Sequence, residues 1–199
     1  MKNKIIRYTI IALAWIAVLY PLWMRIGSLP WIFNKSLLTN LFPLFGILAF
    51  TLLWLHSVAG AFESFLRRYI NFDWFVHITA SIIFWCILLH PLLLLVSLDF
   101  NISNLFFYYG VKFVLLGIIG WLLLLTYDVS KALKKHAFFS RNWNTVLIVS
   151  NLGFVLTFFH SLYLGSDLQS GPLRTLWIFY GTTAIICLIY TYVIKKHLR

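Results

Sequence analysis

The stretch from Trp74 to Val96, WFVHITASIIFWCILLHPLLLLV, contains no Asp, Glu, Lys or Arg. A helix crosses the hydrocarbon core of a bilayer with about 20 apolar residues. A helix on the surface of a soluble domain would show a polar stripe every three to four residues, and none is present. A strand of this length is not plausible for an apolar run. The stretch predicts a transmembrane helix, interrupted only by small polar residues and by two histidines, His77 and His90.

The same test applied outward gives six predicted spans, at roughly 8–24, 41–63, 74–96, 105–127, 143–164 and 175–194. The breaks carry turn residues or charge: Gly27 to Lys35, Arg67 to Asp73, Leu98 to Asn104, Asp128 to Arg141, and Gly165 to Arg174. Composition agrees. Of 199 residues 62% are hydrophobic, 19% aromatic and only 11% charged, whereas soluble domains carry about a quarter charged residues. The expected fold class is all-α and integral to the membrane: a six-helix bundle forming a single transmembrane domain over 1–199. No internal repeat, low-complexity tract or strand alternation stands out. The basic start (Lys2, Lys4, Arg7) and the apolar run from Tyr8 to Met24 resemble a signal peptide. No small-residue cleavage site follows, so a retained first span is expected.

Charge sets the expected orientation. The N-terminal tail, the second and fourth connections and the C-terminal tail hold twelve basic residues: Lys2, Lys4, Arg7, Arg67, Arg68, Lys131, Lys134, Lys135, Arg141, Lys195, Lys196 and Arg199. The opposite side holds Arg25, Lys35, Lys112 and Arg174. Both termini are expected in the cytoplasm, so the third and fifth helices both run outward. The net charge of +11 then reflects topology, and nucleic acid is excluded as a partner because no soluble basic domain exists to bind it. Cys86 and Cys187 lie in apolar runs and read as small buried hydrophobes.

Ionisable groups inside a membrane are costly and mark function. His136 and His197 fall in basic cytoplasmic segments. His56, His77, His90 and His160 fall inside spans. His90 is sixteen residues past Trp74, and His160 is seventeen past Trp143. At a rise of 1.5 Å per residue, both lie roughly 24–26 Å from the cytoplasmic ends of two parallel helices. Two imidazoles at one depth suit the axial positions of a b-type haem. Each histidine alone also has a plainer reading, a polar side chain bonded to a neighbouring helix. His77 and His90, thirteen residues apart, stand about 140° apart around an ideal helix.

The flanking residues carry a resemblance. Phe65-Leu-Arg-Arg-Tyr-Ile-Asn-Phe-Asp-Trp-Phe-Val-His77, followed by Ile-Leu-Leu-His90-Pro91-Leu-Leu-Leu, resembles the third-helix signature of the ferric reductase-like transmembrane family. Arg141-Asn-Trp143, followed by Phe-Phe-His160-Ser-Leu-Tyr-Leu-Gly165-Ser-Asp167, is similar to its fifth-helix signature. The resemblance covers roughly residues 40–195. The family includes ferric reductases, NADPH oxidases and the haem subunit of bacterial periplasmic methionine sulfoxide reductase systems. It implies a six-helix bundle that moves electrons over haems held by helices three and five. His90 and His160 match the outer-haem iron ligands, and His77 matches an inner-haem ligand. The position that would pair His77 is Leu147, and an alkyl side chain cannot ligate iron.

The expected cofactor is therefore one haem b, with a second haem left without its ligand pair. The chain has no flavin- or nicotinamide-binding domain after its sixth span, so quinone or flavin would act through a separate electron donor, a reductase or quinol. Ferric iron, oxygen or an outer-face protein would accept the electrons. The expected location is the plasma or bacterial inner membrane. Two other roles remain open: a haem-free structural or assembly subunit that kept the fold, and, with less support, a transporter. Among the remaining features, the nine Trp and ten Tyr read as interfacial anchors. Gly117, Gly120 and Gly153 read as sites of close helix approach. Arg67, Arg68, Lys134 and Lys135 could meet haem propionates or anionic lipid, and Glu63 could pair with Arg67 one turn on.

Overall fold

The structure, a computed structural model, describes residues 2–28 and 36–195. Among these every regular element is helical. The α-helices are α1 (Lys2–Gly27), α2 (Ser36–Ala61), α3 (Glu63–Leu66), α4 (Phe72–Ser97), α5 (Ile102–Tyr109), α6 (Val111–Ala132), α7 (Ala137–Arg141), α8 (Trp143–Leu164) and α9 (Gly171–Ile189). A 3-10 turn covers Ser166–Leu168 and a π-helical turn covers Tyr190–Ile194. Six helical stretches are long and apolar enough to cross a membrane: Lys4–Gly27, Leu37–Ala61, Phe72–Ser97, Val111–Ala132, Trp143–Leu164 and Gly171–Ile194. The protein is an all-α, multi-pass membrane protein. Large apolar side chains such as Trp15, Leu19, Trp85, Leu122 and Phe179 are exposed along these helices, as suits contact with lipid.

Span existence agrees with the hydropathy pattern, and the boundaries differ in one informative place. The fourth span begins at Val111, not near 105. Gly110 adopts φ +76°, a left-handed conformation that L side chains disfavour. It separates α6 from α5, whose N-cap Asn101 accepts a hydrogen bond from the Asn104 N–H. Apolar residues continue through this break, so hydropathy alone runs the two helices together. Elsewhere α1, α4 and α9 begin a few residues before the apolar runs, α8 coincides with the expected 143–164, and α2 ends at Ala61, two residues short of the expected 63. Lys35, Lys196, His197 and Arg199 lie outside the described residues.

The chain divides into two compact units. Unit 1 comprises Met1–Ser97 and Ile178–Arg199. Its main packing is α2 along α4, with α1 against α2. Tyr180 on α9 donates its hydroxyl to the Ala17 carbonyl of α1 at 2.8 Å. Trp54 on α2 stacks on Tyr180 with centroids 4.1 Å apart, and its indole N–H donates to the Thr183 hydroxyl. Polar tips are thus paired inside the apolar layer, where an unmade hydrogen bond is costly.

Unit 2 comprises Leu98–Trp177, with α6 packed along α8. Gly120 and Gly153 let the two backbones meet. A Cβ on Gly153 would stand 2.7 Å from the Gly120 carbonyl oxygen and 2.7 Å from the Leu124 nitrogen. Trp177, 1% exposed, donates its indole N–H to the Ser161 hydroxyl at 2.8 Å.

Candidate functional site

His90 sits on α4, eighteen residues past the helix start at Phe72. Its half-buried ring leans on α2, within unit 1. Nδ1 lies 2.8 Å from the Phe42 carbonyl oxygen. A carbonyl oxygen only accepts, so Nδ1 carries the proton and donates. In a neutral imidazole the lone pair then belongs to Nε2. The Phe42 ring packs against the imidazole, with centroids 5.4 Å apart.

This contact needs Gly46. In a helix the Cα–Cβ bond tilts toward the N-terminus, so a side chain at position 46 would cover the turn that carries the Phe42 carbonyl. A Cβ there would fall 2.9 Å from both Cε1 and Nδ1 of His90. Non-bonded carbon and nitrogen do not approach so closely.

Unit 2 contains the same arrangement. His160 sits on α8, seventeen residues past Trp143. Its Nδ1 donates to the Phe113 carbonyl of α6 at 2.8 Å. Gly117 lies one turn beyond Phe113, and a Cβ on it would meet Nδ1 and Cε1 of His160 even more closely. Phe113 also stacks on Tyr163, three residues after His160, at 4.2 Å.

The other histidines differ. His77, on α4, is exposed, and the Ser81 hydroxyl donates to its backbone carbonyl. The half-buried His90 and the exposed His77 do not share a face, as thirteen helical steps require. His56 on α2 uses Nε2, which bonds to the Thr79 hydroxyl of α4. Thr79 spends its own proton on the Phe75 carbonyl, so His56 must be the donor and carries the opposite tautomer to His90 and His160. Leu147 lies in α8, one turn before Asn151, whose amide donates to its carbonyl. His136 is exposed at the start of α7.

Arg67, exposed between the spans, is held by the chain's own acids. Nε donates to Glu63 at 2.9 Å, and its two terminal nitrogens grip both oxygens of Asp73 at 2.8 and 2.9 Å. These carboxylates push its pKa further above its already high ordinary value. The Glu63 pairing matches the one-turn spacing, whereas the second partner, Asp73, lies outside it. Lys134 lies over the Trp143 ring at 4.4 Å. Both cations therefore have partners within the chain. Cys86 is buried, and both it and Cys187 are free thiols.

Among the described residues no three His, Cys, Asp or Glu side chains group together as a metal cluster. The available chemistry is that of single imidazoles. Metal-binding histidine characteristically donates its other ring N–H to a carbonyl or carboxylate, which fixes tautomer and ring orientation. His90 and His160 meet that requirement, each within its own unit, and each lies in a cradle that one added methyl would fill. Each ring thus holds the tautomer in which Nε2 is the basic nitrogen, the form a metal-binding histidine uses. The sequence points to both histidines but not to their supports: hydropathy and flanking motifs leave Phe42, Gly46 and Phe113 unmarked, and Gly117 reads only as a close-approach glycine. The available signal is the recurrence of Phe-x-x-x-Gly in the two helices that precede the histidine helices. Comparison with protein-family models, with curated proteins and with solved structures gives no match.

Proposed function

We propose that the chain is a haem b membrane protein, ferric reductase-like, that carries electrons across or within the bilayer on behalf of a separate donor. The observation that carries this reading is the shared treatment of His90 and His160. Each donates Nδ1–H to a backbone carbonyl at 2.8 Å, which makes Nε2 the basic nitrogen of each neutral ring, the one that binds iron. Each of these histidines, within its own unit, would offer Nε2 to haem iron, and the haem when bound would supply a one-electron iron couple. The carbonyl partners keep each ring from rotating and raise its basicity.

The topology proposed with this function places both termini in the cytoplasm, following the distribution of basic residues. The donor is a reductase or a quinol, and the acceptor is ferric iron, oxygen or an outer-face protein. The membrane is the plasma or bacterial inner membrane. One haem is proposed, because Leu147 provides no partner for His77. Purified protein from cells with adequate haem should give reduced-minus-oxidised Soret and α bands. Their absence would reject the proposal.

A haem-free structural or assembly role in a membrane redox complex is the alternative, and it is favoured by Leu147 at the position where the family resemblance would put a partner for His77. His90→Ala separates the two. The redox function predicts loss of spectrum and of electron transfer, whereas a structural role predicts that partner assembly and activity of the complex survive.

A further inference from the structure

We infer that Gly46 and Gly117 are equivalent positioning residues, each the seat of a haem-ligating histidine in one of two copies of a single helix–short helix–helix module. This rests on the proposed haem function for the purpose of the seat, though not for its existence. The first copy is α2, α3 and α4, and the second is α6, α7 and α8.

The copies agree in register. Gly46 stands fifteen residues before the end of α2 at Ala61, and Gly117 stands fifteen before the end of α6 at Ala132. Ala61 to Phe72, the start of α4, is eleven residues; Ala132 to Trp143, the start of α8, is also eleven. Each connection contains one short helix. The acceptor carbonyl is four residues before the glycine in both copies, Phe42 and Phe113.

The sequence agrees once the register is fixed. Between 42–61 and 113–132, eight of twenty aligned positions are identical. The leucine matches among them mean little in so apolar a chain. Phe-x-Leu-x-Gly-Ile, at Phe42 to Ile47 and again at Phe113 to Ile118, means more, because its Phe and Gly are the two residues the histidine touches. The copies are offset in two places: α3 starts two residues after Ala61 whereas α7 starts five after Ala132, and His90 is eighteen residues into α4 whereas His160 is seventeen into α8. The internal repeat that hydropathy leaves invisible is therefore a repeat of function-bearing positions.

The physical role of the glycine follows from what its Cβ would touch. At Gly46 and Gly117 the nearest atoms are those of the imidazole. At Gly120 and Gly153 they include the backbone of the facing helix. At Gly60 nothing lies within 4 Å. Adding a methyl thus displaces the histidine in the first case, separates helices in the second, and does nothing in the third.

A double-mutant cycle tests this on the full-length protein in detergent, with unfolding temperature and haem content both read. Gly117→Ala is expected to lower the unfolding temperature and the haem content. In a His160→Ala background the same substitution is expected to cause no further shift, because the ring that it strikes is gone. Gly46→Ala with His90→Ala should behave alike, while Gly120→Ala should shift the unfolding temperature in both backgrounds. Equal shifts for Gly117→Ala with and without His160 would overturn the inference and assign the glycine to helix packing. So would an unchanged unfolding temperature and haem content in Gly117→Ala. If Gly117→Ala alone fails to fold, recovery of folding in Gly117→Ala/His160→Ala supports the seat, and failure of both overturns it. If the wild type binds no haem, the thermal cycle still reads the seat, so loss of the haem function and loss of this inference are separate results.

Discussion

A histidine inside a bilayer has two ring nitrogens to satisfy and no water to do it with. His90 and His160 each give one nitrogen to a backbone carbonyl, while His56 shares Nε2 with Thr79. That difference predicts different phenotypes. His90→Ala or His160→Ala should abolish bound haem, measured as Soret absorbance per chain. His77→Ala should leave that absorbance within error of wild type, since the ring is exposed and away from the face that carries His90. His90 and His160 are singled out in the sequence by depth and flanking residues. Their supports are not, because the acceptors are main-chain carbonyls 47 and 48 residues away in sequence. Every residue has a carbonyl, so only the packed fold says which one is used. Asp73 is hidden for a related reason. A helix spacing rule finds Glu63 for Arg67 one turn away, but the bidentate grip of Asp73 crosses the turn between α3 and α4.

Helix pairs are stabilised in each unit by close approach and by paired polar tips, since lipid is as apolar as the side chains it replaces. The backbones of α6 and α8 approach closely at Gly120 and Gly153. Gly153→Ala places a methyl 2.7 Å from two backbone atoms, and such overpacking costs about 1–3 kcal/mol. Reversible denaturant unfolding in mixed micelles should show that loss. Gly60→Ala, with open space around it, should show none. At the junction of α5 and α6, Gly110→Ala forces a side chain into a left-handed backbone and should cost on the order of 1 kcal/mol. It should register in the same measurement. The six spans can be read from the sequence, because a run of about twenty apolar residues matches the thickness of a bilayer and little else. Their ends cannot, as the 105–111 region shows: a helix break made by one glycine leaves hydropathy untouched. The pairing of α2 with α4 and of α6 with α8 is also out of reach, since an all-round apolar helix does not mark the face it buries.

For the molecule as a whole, the proposed topology predicts where added labels will be reached. A cysteine at Ser140, in a background lacking Cys86 and Cys187, should react with an impermeant thiol reagent only from the cytoplasm. One at Asn101 should react only from outside. The reverse pattern would invert the bundle and move both histidines to the inner leaflet. Fold class needs only composition and run length. The proposed function needs the two histidines to be more than polar residues in helices, and their matched seats are the observation it is argued from. The repeat itself is hard to see in the sequence because most of its aligned positions are generic apolar residues. The most direct test of the central claim is pyridine haemochrome quantitation on purified wild-type protein beside His160→Ala. One haem b per wild-type chain and none in the variant is the predicted result. A wild type without haem, or a variant that keeps it, would contradict the account.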